Sequence, residues 1–167
     1  MNKMKEIRLE KVTINMGCGE AGPKLEKAKK LLSMLTGKKI VVTKTHKRTT
    51  FGGAKKRPIG VKITLRGSDA KAFLDKALKS VEGGLKASQF DVSGNFSFGI
   101  REYINMPGIK YDPEIGIMGM DVCVTLERAG YRVKRRMIRP SPVGRTHKIT
   151  REESMEWLKK EFGAQVN

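Results

Sequence analysis

The stretch PIGVKITLRG, residues 58–67, constrains the fold of this chain more than any other. Ile59, Val61, Ile63 and Leu65 alternate there with Gly60, Lys62, Thr64 and Arg66. Successive side chains of a strand point to opposite faces, so this segment predicts a strand with one apolar and one polar face. A sheet built from such strands must cover its apolar face and can leave the other in water. The polar face would carry Lys62, Thr64 and Arg66, side chains suited to phosphate and base contacts. An ordinary solvated sheet face shows the same pattern.

Other segments fit such a sheet. Val12, Ile14 and Met16 alternate with polar residues and predict a first strand. KIVVTKT at 39–45 predicts a short second one, and Met120 to Leu126 a later one. In GNFSFGIREYI, 94–104, Phe96, Phe98 and Ile100 are expected inward, with Asn95, Ser97 and Arg101 outward. Paired phenylalanines can stack on bases, but the in-phase Ile100 favours core packing.

Helices are expected between these strands. After Gly22 and Pro23, Leu25, Ala28, Leu32 and Leu35 recur at helical spacing until Gly37, a left-handed terminator. Ser68 or Asp69 is expected to cap a second helix bearing Phe73, Leu74, Ala77, Leu78 and Val81, ended by Gly83 and Gly84. Thr150 and Glu153 form a capping box that opens a last helix running to Phe162, with Gly163 behind it. Met155, Leu158 and Phe162 are expected to pack, and Trp157 fits either side. With no repeat and no long linker, residues 1–167 read as a single α+β domain. Residues 45–60 are expected to be a long basic loop.

Charge bounds the partner. Lys and Arg number 35 against 17 Asp and Glu, giving +18. No acid stands between Glu26 and Asp69, where 13 basic residues occur, or between Glu127 and Glu152, where nine occur. Two such windows in one small domain favour a nucleic-acid surface over plain solvation. Two distant cysteines, Cys18 and Cys123, with His46 and His147 make no metal-ligand spacing and no disulfide framework. The charged start MNKMKEIRLEK, and the lack of a membrane-length apolar run, predict a cytosolic protein without a membrane partner.

One motif suggests a cofactor. Gly17, Gly19 and Gly22 have the G-x-G-x-x-G spacing between a strand and a helix. A dinucleotide site also needs an acid some twenty residues on, at the end of the next strand. Residues 39–45 offer only Lys39 and Lys44 as charges, so no cofactor is expected. Asp112 and Glu114 flank Pro113 without a partner base, and Glu152, Glu153 and Glu156 suit a helix start. No catalytic constellation appears, and the chain is not expected to be an enzyme. A DNA-binding protein would need a recognition helix, yet the basic residues here favour loops and strands.

The segments NMGCGEAG at 15, LTGKKIVVTK at 35, the basic loop with Phe51, PIGVKITLRG at 58 and GNFSFGIREYINMPGIKYDPEIGIMGMDV at 94 together resemble the large-subunit ribosomal protein L five family. That family binds 5S rRNA in the central protuberance. The ending, RVKRRMI and THKITREESMEWLKKEF, is similar to the archaeal and eukaryotic branch, and bacterial members often have Gln where Lys38 stands. The resemblance implies an antiparallel sheet with helices on one face and 5S rRNA on the other. It places 5S contacts on Asn15, Lys38, Phe51, Thr64 and Arg66, with Lys62 joining them by alternation. It implies that the basic loop reaches P-site tRNA, and that large-subunit rRNA, a neighbouring 5S-binding protein and a small-subunit protein at the intersubunit bridge are partners. Lys47, Arg48, Lys55, Lys56 and Arg57 would neutralise phosphates, with Gly52 and Gly53 allowing close backbone approach. Phe51 either stacks on an exposed base or pins the loop to the body.

Overall fold

The alternation at 59–65 is realised in a strand, β3 (Pro58–Leu65), whose Val61, Ile63 and Leu65 are buried and whose Lys62 and Thr64 are exposed. The computed structural model describes residues 2–48, 54–81 and 84–167. Besides β3 it contains β1 (Ile7–Gly17), β2 (Val41–Lys44), β4 (Phe96–Ile100) and β5 (Met120–Arg128). The five strands form one antiparallel sheet in the order β2-β3-β1-β5-β4. The long β1 is central because it finds an apolar partner row on each side; it alternates from Lys11 onward, past a register shift between Leu9 and Lys11. Val12 faces Leu65 and Val124, and Ile14 faces Ile63 and Val122.

Helices α1 (Pro23–Thr36) and α2 (Gly67–Lys79) lie over β3 and β1 on the apolar face. In α1 Pro23 opens the first turn, where its missing N–H costs nothing, and Leu25, Ala28, Leu31 and Leu32 are buried. Gly37 ends it at φ 61°, its N–H donating to Ser33 O over 2.8 Å. Helix α2 does not use the expected Ser68 or Asp69 cap. Gly67 turns the chain at φ 64° directly from β3, so Arg66 becomes the N-cap and no side chain caps the helix. It also stops early. Ser80 closes it, donating its hydroxyl to Ala77 O over 2.7 Å; of the expected glycine stop, Gly83 lies outside the described residues.

The last helix, α4 (Arg151–Phe162), follows a four-residue α3 (Arg132–Arg135) that the sequence did not announce. Its capping box is formed: Thr150 N–H donates to Glu153 Oε2 at 3.0 Å, and Glu153 N–H donates to Thr150 Oγ1 at 3.4 Å. Ser154 Oγ donates to Gly94 O at 2.7 Å and Leu158 is fully buried, which docks α4 against the turn before β4. Trp157 is half-buried, edge-on to Phe162 with ring centroids 5.7 Å apart. Phe96 and Phe98 are core residues, and Phe90 joins them with its ring 5.1 Å from Phe96. They are not available to stack on bases. The molecule is a single α+β domain with helices on one face of its sheet.

Candidate nucleic-acid interface

The other sheet face carries polar side chains in ordered rows. Strand register places Val41, Lys62, Asn15, Asp121 and Gly99 in one row across all five strands. The next row holds Thr64, Thr13, Cys123 and Ser97. Lys62 and Thr64 are exposed and Asn15 is half-buried, and the three side chains make no hydrogen bond or ion pair to any described residue. The only acid in the row of Asn15 and Lys62, Asp121, stands on the β5 side of Asn15. Within these two rows cationic and neutral groups stand on β1 and β3 and the carboxylate on β5; the one acid on β1, Glu10, is paired with Arg135. A polyanion is favoured over the β1–β3 half.

Arg66 extends that half. It follows β3 with extended backbone, φ −139° and ψ 161°, so the alternation carries past Leu65 and keeps Arg66 exposed on the side of Thr64. Lys38 stands apart from the strand rows. It follows the end of α1, and its Nζ is 2.8 Å from Asp69 Oδ2 in the first turn of α2. Phe51 lies outside the described residues.

The basic loop is shorter than the sequence suggested. β3 begins at Pro58, because the first residue of a strand can lack an N–H donor. Gly60, which the loop range 45–60 and the strand alternation both include, pairs with Gly17 and Thr43 inside the sheet. A Cβ at Gly60 would stand 2.7 Å from Met16 O, so only glycine lets the strands meet there. Thr45 closes the loop base. Its N–H donates to Arg57 O and its own O accepts from Lys56 N, both at 2.9 Å, while its hydroxyl donates to Ala54 O at 2.7 Å. Lys47, Arg48, Lys55, Lys56 and Arg57 are all exposed around this base and form no ion pair with any described residue.

The basic loop and the start of the second acid-free window lie at opposite ends of β1. Gly17, at the end of β1, pairs with Gly60 near the loop base, whereas Ile7, at its start, pairs with Arg128, the first residue of the second window. Ten residue steps of strand, roughly 33 Å, separate them. Between them runs the open face.

The glycine motif has no role in that face. Gly17, Gly19 and Gly22 have no atom within 4 Å of an added Cβ, and the amides of Cys18 and Gly19 both donate to Ile59 O, at 2.9 and 3.0 Å. Those donors are spent on holding the turn to β3 and are not turned toward a phosphate. Asp112 and Glu114 do have a partner, missed in the sequence because it is distant: Lys30 of α1 binds both, with its Nζ 3.4 Å from Asp112 Oδ2. The hydrogen bond to Glu114 holds the Lys30 ammonium above its ordinary range, with the Asp112 charge adding to it. Among the described residues no three His, Cys, Asp or Glu come together as a metal site.

Residues 2–50 match the family described as Ribosomal protein L5, and residues 58–157 match the model of the C-terminus of the same ribosomal family. The chain belongs to the ribosomal protein L5 family. It is 52% identical to the large ribosomal subunit protein uL5 of Sulfurisphaera tokodaii, over 99% of this chain and 95% of that protein. It is 47% identical to the uL5 protein of Methanosphaera stadtmanae over 99% of both, and 50% identical to that of Nanoarchaeum equitans over 98% of this chain and 97% of the relative. These relatives are of archaeal origin, in line with the branch that the ending resembles. The two family matches share one sheet, since β1 from the first lies between β3 and β5 from the second. A member of this family is a structural protein of the large ribosomal subunit, located on the ribosome in the cytoplasm, and not an enzyme.

Proposed function

We propose that this chain binds 5S rRNA on the open face of its sheet, with Lys62, Thr64 and Asn15 as neighbouring contacts and Arg66 at the edge. The whole of 1–167 acts as one RNA-binding domain. The observation that carries the reading is the row in which Asn15 and Lys62 stand opposite each other, uncovered and without a side-chain partner among the described residues, on a chain of net charge +18. Arg66 can make paired hydrogen bonds to a phosphate or a guanine edge, and Lys62 supplies a point charge. Lys38 joins only if RNA draws it from Asp69.

The loop closed by Thr45 presents Lys47, Arg48, Lys55, Lys56 and Arg57 at one end of this face and reaches P-site tRNA; Phe51, in the same loop, is a further RNA contact. Large-subunit rRNA, a neighbouring 5S-binding protein and a small-subunit protein across the subunit interface complete the partners. Exposed arginines and lysines around one rung suit phosphates, whose neutralisation is sequence-independent.

A gel shift with 5S rRNA across a salt series tests this. Each phosphate contact contributes about 0.7–0.9 to the slope of log affinity against log salt, so five contacts give about 4. A slope near 1, or equal affinity for duplex DNA of the same length, contradicts the reading.

A further inference from the structure

At the far end of the sheet the second acid-free window holds two large apolar side chains in water. Met137 is 95% exposed and Ile138 77% exposed. The turn that carries them is well moored. Arg135 of α3 bonds Glu10 at 2.6 Å and Glu127 at 2.8 Å, and Ser141 N–H donates to Val133 O at 3.1 Å across the turn. Arg136 Nε donates to Arg139 O at 2.8 Å, and Arg139 itself takes φ 49°, a left-handed conformation that costs a non-glycine residue strain. A strained, fixed turn that presents apolar groups to solvent gives the free domain nothing, and marks a contact surface.

Chemistry selects the partner. Arg132, Arg136 and Arg139 surround the apolar pair, make no ion pair with any described residue, and have no acid in their window. A polyanion that also offers flat apolar surface fits, and RNA with an unstacked base does both. Residues that flank this turn, Lys134, Arg135 and Pro142, line a cleft of about 330 Å³ together with Lys11 and Thr125 of the sheet and the carboxylate of Glu10.

We infer that Met137 and Ile138, with Arg132 and Arg139 beside them, form a second 5S rRNA contact that packs on an unstacked base and takes the flanking phosphates. It rests on the sheet-face reading and extends that interface to both ends of β1.

The test uses the full chain with 5S rRNA and with large-subunit rRNA, comparing affinity, salt slope and nucleotide protection. Met137→Ser with Ile138→Ser should weaken 5S binding about tenfold with an unchanged slope, the loss of one base contact. Arg132→Gln with Arg139→Gln should lower the slope by about 1.4–1.8, two phosphates' worth. The nucleotides deprotected by the serine pair should differ from those deprotected by Lys62→Ala, and thermal melting should stay as in the parent because these side chains are exposed. If Lys62→Ala weakens 5S binding while both pairs leave it unchanged, the inference falls and the sheet-face reading stands. Weakening of large-subunit rRNA binding alone, or loss only of binding to polyglutamate as a probe for an acidic protein, also overturns it. No 5S binding by the parent chain overturns both.

Discussion

Asn15 of β1 and Lys62 of β3 stand directly opposite each other on the uncovered face of the sheet, with no side-chain partner among the described residues. Opposed residues of an antiparallel pair have Cβ atoms about 4.5–5.5 Å apart, so a single nucleotide can engage both. They give separable effects. Lys62→Ala should lower the salt slope of 5S rRNA binding by about 0.7–0.9, whereas Asn15→Ala should weaken affinity and leave the slope unchanged. Neither change should move stability by more than about 0.5 kcal/mol, checked by urea unfolding.

Arg66 and Lys55 distinguish the sheet from the loop. Arg66 caps α2 only through its backbone, so Arg66→Ala removes a guanidinium without loosening the helix. It should weaken 5S rRNA binding more than Lys55→Ala does. Equal small losses in the gel shift would argue that the sheet face is not the main contact.

Gly60 is the backbone position on which the sheet's register depends. A methyl group there meets Met16 O at 2.7 Å and Thr43 Oγ1 at 3.0 Å, while one at Gly17 meets nothing within 4 Å. Gly60→Ala should destabilise by about 1–3 kcal/mol through overpacking, and Gly17→Ala should be close to neutral. Urea midpoints read the difference. A reversed order would mean that the glycine turn after β1, rather than the β1–β3 contact, is the demanding site.

Arg128 and Glu153 join the sheet to α4. Arg128 is buried; its guanidinium donates to Glu153 Oε1 at 2.7 Å and to the carbonyl of Lys148 at 3.2 Å. Burial pushes the Glu153 carboxyl up, but the Thr150 amide and the Arg128 guanidinium outweigh it and leave the group below its ordinary 4.5. A carboxylate whose folded value is depressed adds stability above the unfolded value, and that stability is lost as pH falls through the folded one. Stability should therefore fall as pH drops below about 4.5, and Glu153→Gln should flatten this part of the profile. Because Glu153 is 40% exposed, the substitution should cost only about 1 kcal/mol at neutral pH, as solvent screens the pair.

Local signals made much of the fold legible in the sequence. Alternation at 59–65, Gly37 and Gly163 as terminators, Pro23 in a first turn and the Thr150–Glu153 box each act within a few residues, and each is where the spacing put it. Strand order was not legible, because which row meets β1 depends on pairings between residues far apart in the chain. The start of α2 was misplaced because the left-handed Gly67 turns the chain before Ser68 can cap it. Lys62 and Thr64 were legible as face residues from alternation alone. The Lys38–Asp69 pair, the mooring of Arg135 and the placement of the basic loop and the second window toward opposite ends of β1 arise only when the chain is folded.

Charge reversal at Lys62 with Arg66, as Lys62→Glu with Arg66→Glu, puts the open face to the test in one comparison. Both side chains are exposed and make no ion pair with any described residue, so the fold should persist, with the urea midpoint close to that of the parent. The 5S rRNA affinity at moderate salt should fall by about a hundredfold or more, as two attractive phosphate contacts become repulsive. An unchanged affinity in a folded double variant would contradict the assignment of RNA to this face.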